Sequence, residues 1–267
     1  MNLTGKLKAD ITKLKKNLTS EDIAFLEVSA GDRDAMLIFA KDMVDKDAIG
    51  TLILKPLSKI KSDFKEEEFT SLFLSPEKQE VKSVNEIIDE IVLGNAVIVC
   101  DGLKYALSFG LKKFEMRSIT EPPTSAVIKG PREGFVESLP VNISLMRRRI
   151  KSPDLHFENL TIGEFSKTPV ALCYIDGIAD QKLVSALREK LRSFKIDAVL
   201  DSSYIAKFLG QHKTSIFKQT GNTEKPDILA GKILEGRVAI FVDGSPIALT
   251  VPYLLLEDFQ SPSDYYS

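Results

Sequence analysis

A sequence pattern that begins at Gly94 begins again at Gly236, an offset of 142 positions. The first copy reads GNAVIVCDGLKYAL and the second reads GRVAIFVDGSPIAL. In each copy a glycine precedes an apolar run, an Asp-Gly pair and a second apolar run. This order is typical of a helix end followed by a β-hairpin. Because an internal repeat constrains the architecture of a whole chain, the pattern predicts two lobes of related structure.

The predicted fold class is α/β (mixed α+β) with two related lobes, each a small mixed sheet with helices and a terminal β-hairpin. We expect an N-terminal helical segment over residues 1–27, a first lobe over residues 28–117 and a second lobe over residues 118–267. The second lobe includes a connecting segment, residues 118–151, which carries a Pro-Pro pair.

Local patterns predict several individual elements. Thr19–Asp22 offers capping residues for a second short helix. Apolar runs at Gly50–Leu57 and Ile196–Leu200 are typical of buried strands. Asp180 and Asp227 are expected to cap helices of the second lobe.

Composition and motifs argue against several functions. The 267 residues carry a net charge of −2 and a sequence pI near 5.9, so no basic field favours nucleic acid. The two histidines, His156 and His212, have no Cys or Glu at ligand spacing, and no Walker loop or nucleophile elbow occurs. Cys100 and Cys173 lie in apolar runs and are expected to be buried. We therefore expect no catalytic residue, no metal site, no cofactor and no enzymatic activity.

A polar loop that ends at Phe135 is the first candidate binding site. Its candidate residues are Lys129, Gly130, Arg132 and Glu133. The glycine-rich backbone and the cations suit an anion held by backbone N–H groups. The alternative is a turn between the lobes whose charges are solvated.

The strongest basic run of the chain is Arg147, Arg148 and Arg149, within a predicted helix over residues 142–150. Adjacent residues of a helix point about 100° apart, so at least one of these arginines turns towards protein and should meet a carboxylate. A structural ion-pair cluster and a contact with membrane headgroups are the two interpretations of this run.

The third candidate is the polar segment at residues 223–227, with Thr223, Lys225 and Asp227 as its binding residues. The simpler interpretation is a helix entry, with Pro226 near the first turn and Asp227 as the cap.

Several motifs, in their order along the chain, resemble one known protein family. They are Arg117–Pro122, Lys129–Glu137, Arg147–Lys151, Thr223–Asp227, Leu234–Ile240, Val242–Pro246 and Gln260–Tyr266. The chain resembles the soluble N-terminal region of the A subunits of spore germinant receptors, the GerA family. The resemblance is strong over residues 115–267, and before them it rests mainly on the Asp101-Gly102 hairpin. Lys225 departs from the family pattern, in which arginine is common, and a bidentate contact there would be weakened.

The resemblance implies a receptor subunit that senses or relays a nutrient signal in spore germination. It implies the B and C receptor subunits as partners, a small nutrient as ligand and a homo-oligomer in the full receptor. It also implies a location at the spore inner membrane, with this domain soluble on the cytoplasmic side. A membrane domain would follow in the natural protein.

Two other functions fit the same residues. A two-lobed module similar to solute-binding proteins would bind a small molecule between its lobes. A scaffold would assemble receptor subunits through the arginine helix and the loop at residues 129–135. For a receptor domain we expect a hinge between the lobes, because a ligand that prefers the closed form shifts the population towards it.

Overall fold

The computed structural model describes residues 2–60, 64–113, 131–210 and 220–253. Within these residues it contains two five-stranded sheets. The chain divides into two compact units. Unit 1 comprises Met1–Phe114 with Lys151–Pro153, and unit 2 comprises Glu115–Ile150 with Asp154–Ser267. The predicted domain limits at residues 27 and 117 stay a prediction.

Unit 1 begins with a helix that is followed by a long β-hairpin. Its elements are α1 (Leu7–Asn17), β1 (Ile23–Ala30), β2 (Arg33–Ala40), α2 (Lys46–Ile49), a π-helical segment (Gly50–Leu54), α3 (Lys55–Leu57), α4 (Glu66–Leu72), β3 (Lys78–Val81), α5 (Val84–Val92), β4 (Ala96–Cys100) and β5 (Ala106–Phe109).

Unit 2 repeats this plan with longer helices after its first hairpin. Its elements are α6 (Leu139–Arg149), β6 (Leu155–Ile162), β7 (Thr168–Ile175), α7 (Gln181–Arg192), α8 (Ser202–Leu209), β8 (Gly221–Thr223), α9 (Pro226–Leu234), β9 (Val238–Val242) and β10 (Ala248–Val251).

The two sheets have the same topology. The strand order is β1-β2-β4-β5-β3 in unit 1 and β6-β7-β9-β10-β8 in unit 2. The predicted fold class and the two related lobes are therefore confirmed. All strand pairings in the described residues are antiparallel, whereas we expected mixed sheets. In unit 1, β3 and β4 run parallel to each other, but β5 lies between them. In unit 2, β10 separates β8 from β9 in the same way, so no two parallel strands are neighbours.

Each sheet is covered by helices on both faces. In unit 1, α1 and α5 pack on one face and the helical segment from α2 to α4 packs on the other. In unit 2, α6 and α9 cover one face, and α7 and α8 cover the other. Because both faces are buried, the central strands β4 and β9 are continuous apolar runs in which every residue is buried.

The repeat extends to individual hydrogen bonds. In unit 1, the Asp101 carboxylate accepts a hydrogen bond from the backbone N–H of Leu7, the first residue of α1, at 2.8 Å. In unit 2, the Asp243 carboxylate accepts one from the N–H of Leu139, the first residue of α6, at 3.0 Å. The hairpin aspartates were predicted from turn geometry alone. The structure shows that each also satisfies a free N–H group at the start of a helix.

Each of these aspartates is followed by a glycine in the left-handed region. The φ angle is 84° at Gly102 and 86° at Gly244. Side chains disfavour this conformation, so the Asp-Gly pairs match the turn that was predicted for them.

Three predictions of a helix or a strand are wrong. The segment after Thr19–Asp22 forms β1 and no second helix, because it pairs with β2 along its whole length. Residues 50–57 are helical and no strand, and they place Ile53 and Leu57 against the sheet. Residues 196–200 form no strand. The carbonyl groups of Ile196 and Asp197 accept hydrogen bonds from N–H groups of the β6–β7 turn, and that of Val199 accepts one from the hydroxyl of Thr168 at the start of β7, in place of a ladder. Periodicity over such short runs does not separate helix from strand.

Candidate functional site

The arginine run lies at the C-terminal end of α6. This position favours cations, because the helix dipole places partial negative charge there. Arg147 points inward and is 1% exposed, with its guanidinium carbon 5.3 Å from the ring centre of Phe157. A cation above an aromatic face at this distance is a stabilising arrangement.

Arg148 and Arg149 share one carboxylate. Glu133 accepts a hydrogen bond from Arg148 Nη1 at 3.0 Å and another from Arg149 Nη2 at 2.8 Å, one on each oxygen. The predicted ion-pair cluster is therefore confirmed for these two arginines. The side chain of Arg148 is 38% exposed and that of Glu133 is 26% exposed. Solvent screens pairs of this kind, and each stabilises the fold by at most about 1 kcal/mol.

The loop that carries Glu133 is held from its other side by the segment before α9. Lys225 is fully buried and donates from Nζ to the carbonyl of Pro131 at 3.1 Å. The N–H of Phe135 donates to the carbonyl of Glu224 at 2.7 Å. Tertiary structure thus brings the three sequence-predicted candidates together around residues 131–135.

Individual candidate residues differ in what the structure shows of them. Arg132 is exposed, and Thr223 ends β8 with its hydroxyl accepting from the N–H of Lys225 at 3.1 Å. Lys129 and Gly130 lie outside the described residues, as does His212.

The prediction that Asp227 caps a helix is wrong. The helix α9 begins at Pro226, so the N-cap residue is Lys225, which makes no side-chain cap. Asp227 lies in the first turn, where its negative charge still faces the positive end of the helix dipole. By contrast, Asp180 caps α7 as predicted and accepts from the N–H of Lys182 at 2.9 Å.

Sequence reasoning missed a polar cluster on the edge strand β6 of unit 2 and its neighbour β7. Glu158 on β6 accepts two hydrogen bonds from Arg188 on α7, both at 2.6 Å, and one from the hydroxyl of Tyr174 on β7 at 2.5 Å. His156 stacks on the ring of Tyr174, with the ring centres 5.5 Å apart. The alternation of His156 and Glu158 along one strand face was the available signal.

These contacts shift the titration of the groups involved. The Arg188 hydrogen bonds hold the pKa of Glu158 below its usual range. Burial, followed by the contact with Glu158, raises the pKa of Tyr174. Glu158 therefore stays ionised and Tyr174 stays protonated near neutral pH, and the Glu158–Arg188 contact resembles a structural ion pair.

The remaining candidate chemistry is sparse in the part of the chain that the structure describes. No group of three or more His, Cys, Asp or Glu side chains is placed to hold a metal ion there. Cys100 and Cys173 are buried free thiols, as predicted, and burial raises the pKa of Cys100 to about 11. Among the described helices, none has both the length and the apolar character needed to traverse a bilayer.

Comparisons with known proteins agree over most of the chain. A family model described as Bacillus/Clostridium GerA spore germination protein matches residues 9–267. Spore germination protein KA of Bacillus subtilis (strain 168) is 36% identical over 274 residues, which cover 99% of this chain and 50% of that protein. Spore germination protein B1 of the same organism is 32% identical over 271 residues, which cover 99% of this chain and 56% of that protein. The chain spans about half the length of these curated relatives.

A solved structure is similar to this chain over most of its length. The crystal structure of the N-terminal domain of the A subunit of the Bacillus megaterium spore germinant receptor GerK3 aligns with a TM-score of 0.70 and 29% identity. The alignment covers 96% of this chain and 98% of that one. The resemblance drawn from the sequence motifs is confirmed, and the chain belongs to the Bacillus/Clostridium GerA spore germination protein family.

Proposed function

We propose that this chain is the N-terminal signalling domain of a germinant receptor A subunit at the spore inner membrane. The observation that carries the proposal is the fold match to such a domain over nearly the full length of both chains. The curated relatives are about twice as long. A membrane domain in the natural protein is therefore part of the proposal.

The proposed role of unit 2 is to dock on the B and C receptor subunits through the loop at residues 129–135 and the end of α6. Support comes from the local charge, because one carboxylate, Glu133, faces two guanidinium groups, those of Arg148 and Arg149. An acidic partner surface would complement the remaining positive charge. The role proposed for Lys225 and Thr223 is to hold this loop in position.

A charge reversal tests this docking surface. We expect Arg148→Glu, introduced into the full-length protein in spores, to reduce co-purification with the B and C subunits and to slow nutrient germination. The reason is that the substitution repels both Glu133 and an acidic partner. The matched control is Arg192→Glu, which reverses the charge of an exposed arginine on α7 of the same unit. Normal germination and normal co-purification of the Arg148→Glu protein would contradict the proposed surface.

Nutrient sensing by this domain is the finer part of the proposal. We expect saturable heats in isothermal titration calorimetry of the chain with a nutrient that triggers its receptor. The absence of heat with every active nutrient, together with intact subunit docking, would restrict the domain to relay and assembly. The hinge between the lobes stays a prediction.

A further inference from the structure

The edge strands of unit 1 differ in how well they resist pairing with another chain. At one edge, β3 is four residues long and carries Lys78 and Glu80. At the other edge, β1 is eight residues long and contains neither proline nor lysine. Its Leu26 side chain is 42% exposed. Short charged edges block further pairing, whereas a long apolar edge is a template for an added strand. In the described part of the chain, β1 pairs only with β2.

An open groove of about 1080 Å³ lies next to β1, on the face of the sheet that α1 covers. Lys8 and Lys15 of α1 line one side of it, and Glu27 and Ser29 of β1 line the other. Lys15 Nζ lies 5.4 Å from the ring centre of Phe25. Among the described residues, no ion pair joins the two lysines to Glu27, so opposite charges line the groove without neutralising each other.

The repeat provides an internal comparison for this groove. Lys15 over Phe25 corresponds to Arg147 over Phe157, since both pairs join the helix before a sheet to its first strand. Arg147 is 1% exposed, whereas Lys15 is exposed to solvent. Asn159 stands in β6 where Glu27 stands in β1, so the fold does not require a carboxylate at this position. The side chain of Glu27 is also exposed to solvent, so a partner can reach it.

We propose that β1 is a self-association surface, on which β1 of a second copy of this chain pairs antiparallel about a two-fold axis at Leu26. In that register Phe25 lies directly opposite Glu27 of the second copy, with Cβ atoms about 5 Å apart. The carboxylate of the second copy then lies beside Lys15. Two-fold symmetry repeats the same ion pair on the other side of the axis.

The register shifted by one residue, to Glu27, is less favourable. A two-fold axis at Glu27 would place two carboxylates directly opposite each other, which destabilises a strand pair. The axis at Leu26 instead brings two exposed leucines together and joins the two five-stranded sheets into one. This inference assigns a surface to self-association, which the resemblance implies only in general terms, and it does not depend on the proposed docking of the B and C subunits.

Analytical ultracentrifugation of the chain over a range of concentrations tests the proposal. We expect a monomer–dimer equilibrium that Lys15→Glu and Glu27→Lys each weaken by about tenfold or more, because like charges then face each other. The double variant, with both substitutions in one chain, should restore dimerisation because the ion pair forms again with reversed sign. Glu80→Lys on the opposite edge is the matched control and should leave the equilibrium unchanged. Circular dichroism confirms that every variant is folded.

Two results would overturn the proposal: a chain that stays monomeric at every concentration, or a dimer that the single charge reversals leave intact. Disulfide trapping tests the register separately. Leu26→Cys should form a covalent dimer under oxidation, since the two Cβ atoms meet at the axis while the native cysteines are buried. A dimer in which Leu26→Cys does not cross-link would overturn the assigned register.

Discussion

At the scale of single residues, Glu158 of unit 2 accepts three side-chain hydrogen bonds. Both oxygens of this carboxylate accept hydrogen bonds from Arg188, and one of them also accepts from Tyr174. The side chain of Glu158 is 18% exposed, so water screens the contact only in part. Planar bidentate pairs of this kind are stronger than ordinary surface ion pairs.

We expect Glu158→Gln to lower the free energy of unfolding by about 1–3 kcal/mol at neutral pH, since a charged hydrogen-bond acceptor is lost. The pKa of Glu158 is lowered in the folded state, so its contribution is present above the pKa of the unfolded chain and is lost as the pH falls through the folded pKa. The stability difference between the two proteins should therefore shrink on acidification. Urea denaturation at several pH values measures it, and a pH-independent difference would contradict the prediction.

The role of a single residue was predictable where one local rule applied, whereas its contact partner was not. The expectation that an arginine of residues 147–149 meets a carboxylate followed from helix geometry, but Glu133 as the partner did not. Asp227 shows the opposite case, because its sequence context suggested a cap and one residue of helix length removed that role. Helix ends vary by a residue or two, which exceeds the tolerance of a capping argument.

At the scale of elements, the two hairpin aspartates connect parts that are far apart in the chain. Asp101 reaches Leu7 across 94 positions, and Asp243 reaches Leu139 across 104 positions. Each bond holds the helix before a sheet against the hairpin at the end of the same unit. The recurrence of the bond in both units indicates that it belongs to the shared plan of the fold.

Asp101→Ala and Asp243→Ala should each lower the free energy of unfolding by about 1 kcal/mol, because a helix N–H group loses its acceptor. The matched controls are Asp101→Asn and Asp243→Asn, which keep a side-chain oxygen at the same place. Urea denaturation monitored by circular dichroism compares the variants. Alanine variants as stable as the asparagine variants would show that the bond contributes nothing.

At the scale of the whole molecule, the duplication produces two units that each hold a complete sheet and two apolar clusters. Both clusters of unit 1 are built from residues between Leu3 and Leu111. All strand pairs of its sheet also lie within that range. A chain of this length with its own core has the size of an ordinary domain.

Residues 1–113 expressed alone should therefore fold and unfold cooperatively in urea. The matched control is residues 1–93, which lack β4 and β5 and so lose the centre of the sheet. This shorter fragment should show no cooperative transition. If residues 1–113 also show no cooperative transition, unit 1 depends on the rest of the chain.

The sequence by itself determined the two related lobes, the Asp-Gly hairpins and the apolar central strands. These features depend on local periodicity and turn chemistry, which operate over a few neighbouring residues. Tertiary structure decided that residues 23–30 are a strand and residues 50–57 a helix, because pairing with β2 and cover for the sheet outweighed weak local preference. It also decided that Glu133, Arg148 and Lys225 meet around one loop, since contacts between distant residues depend on how the elements pack and leave no local pattern.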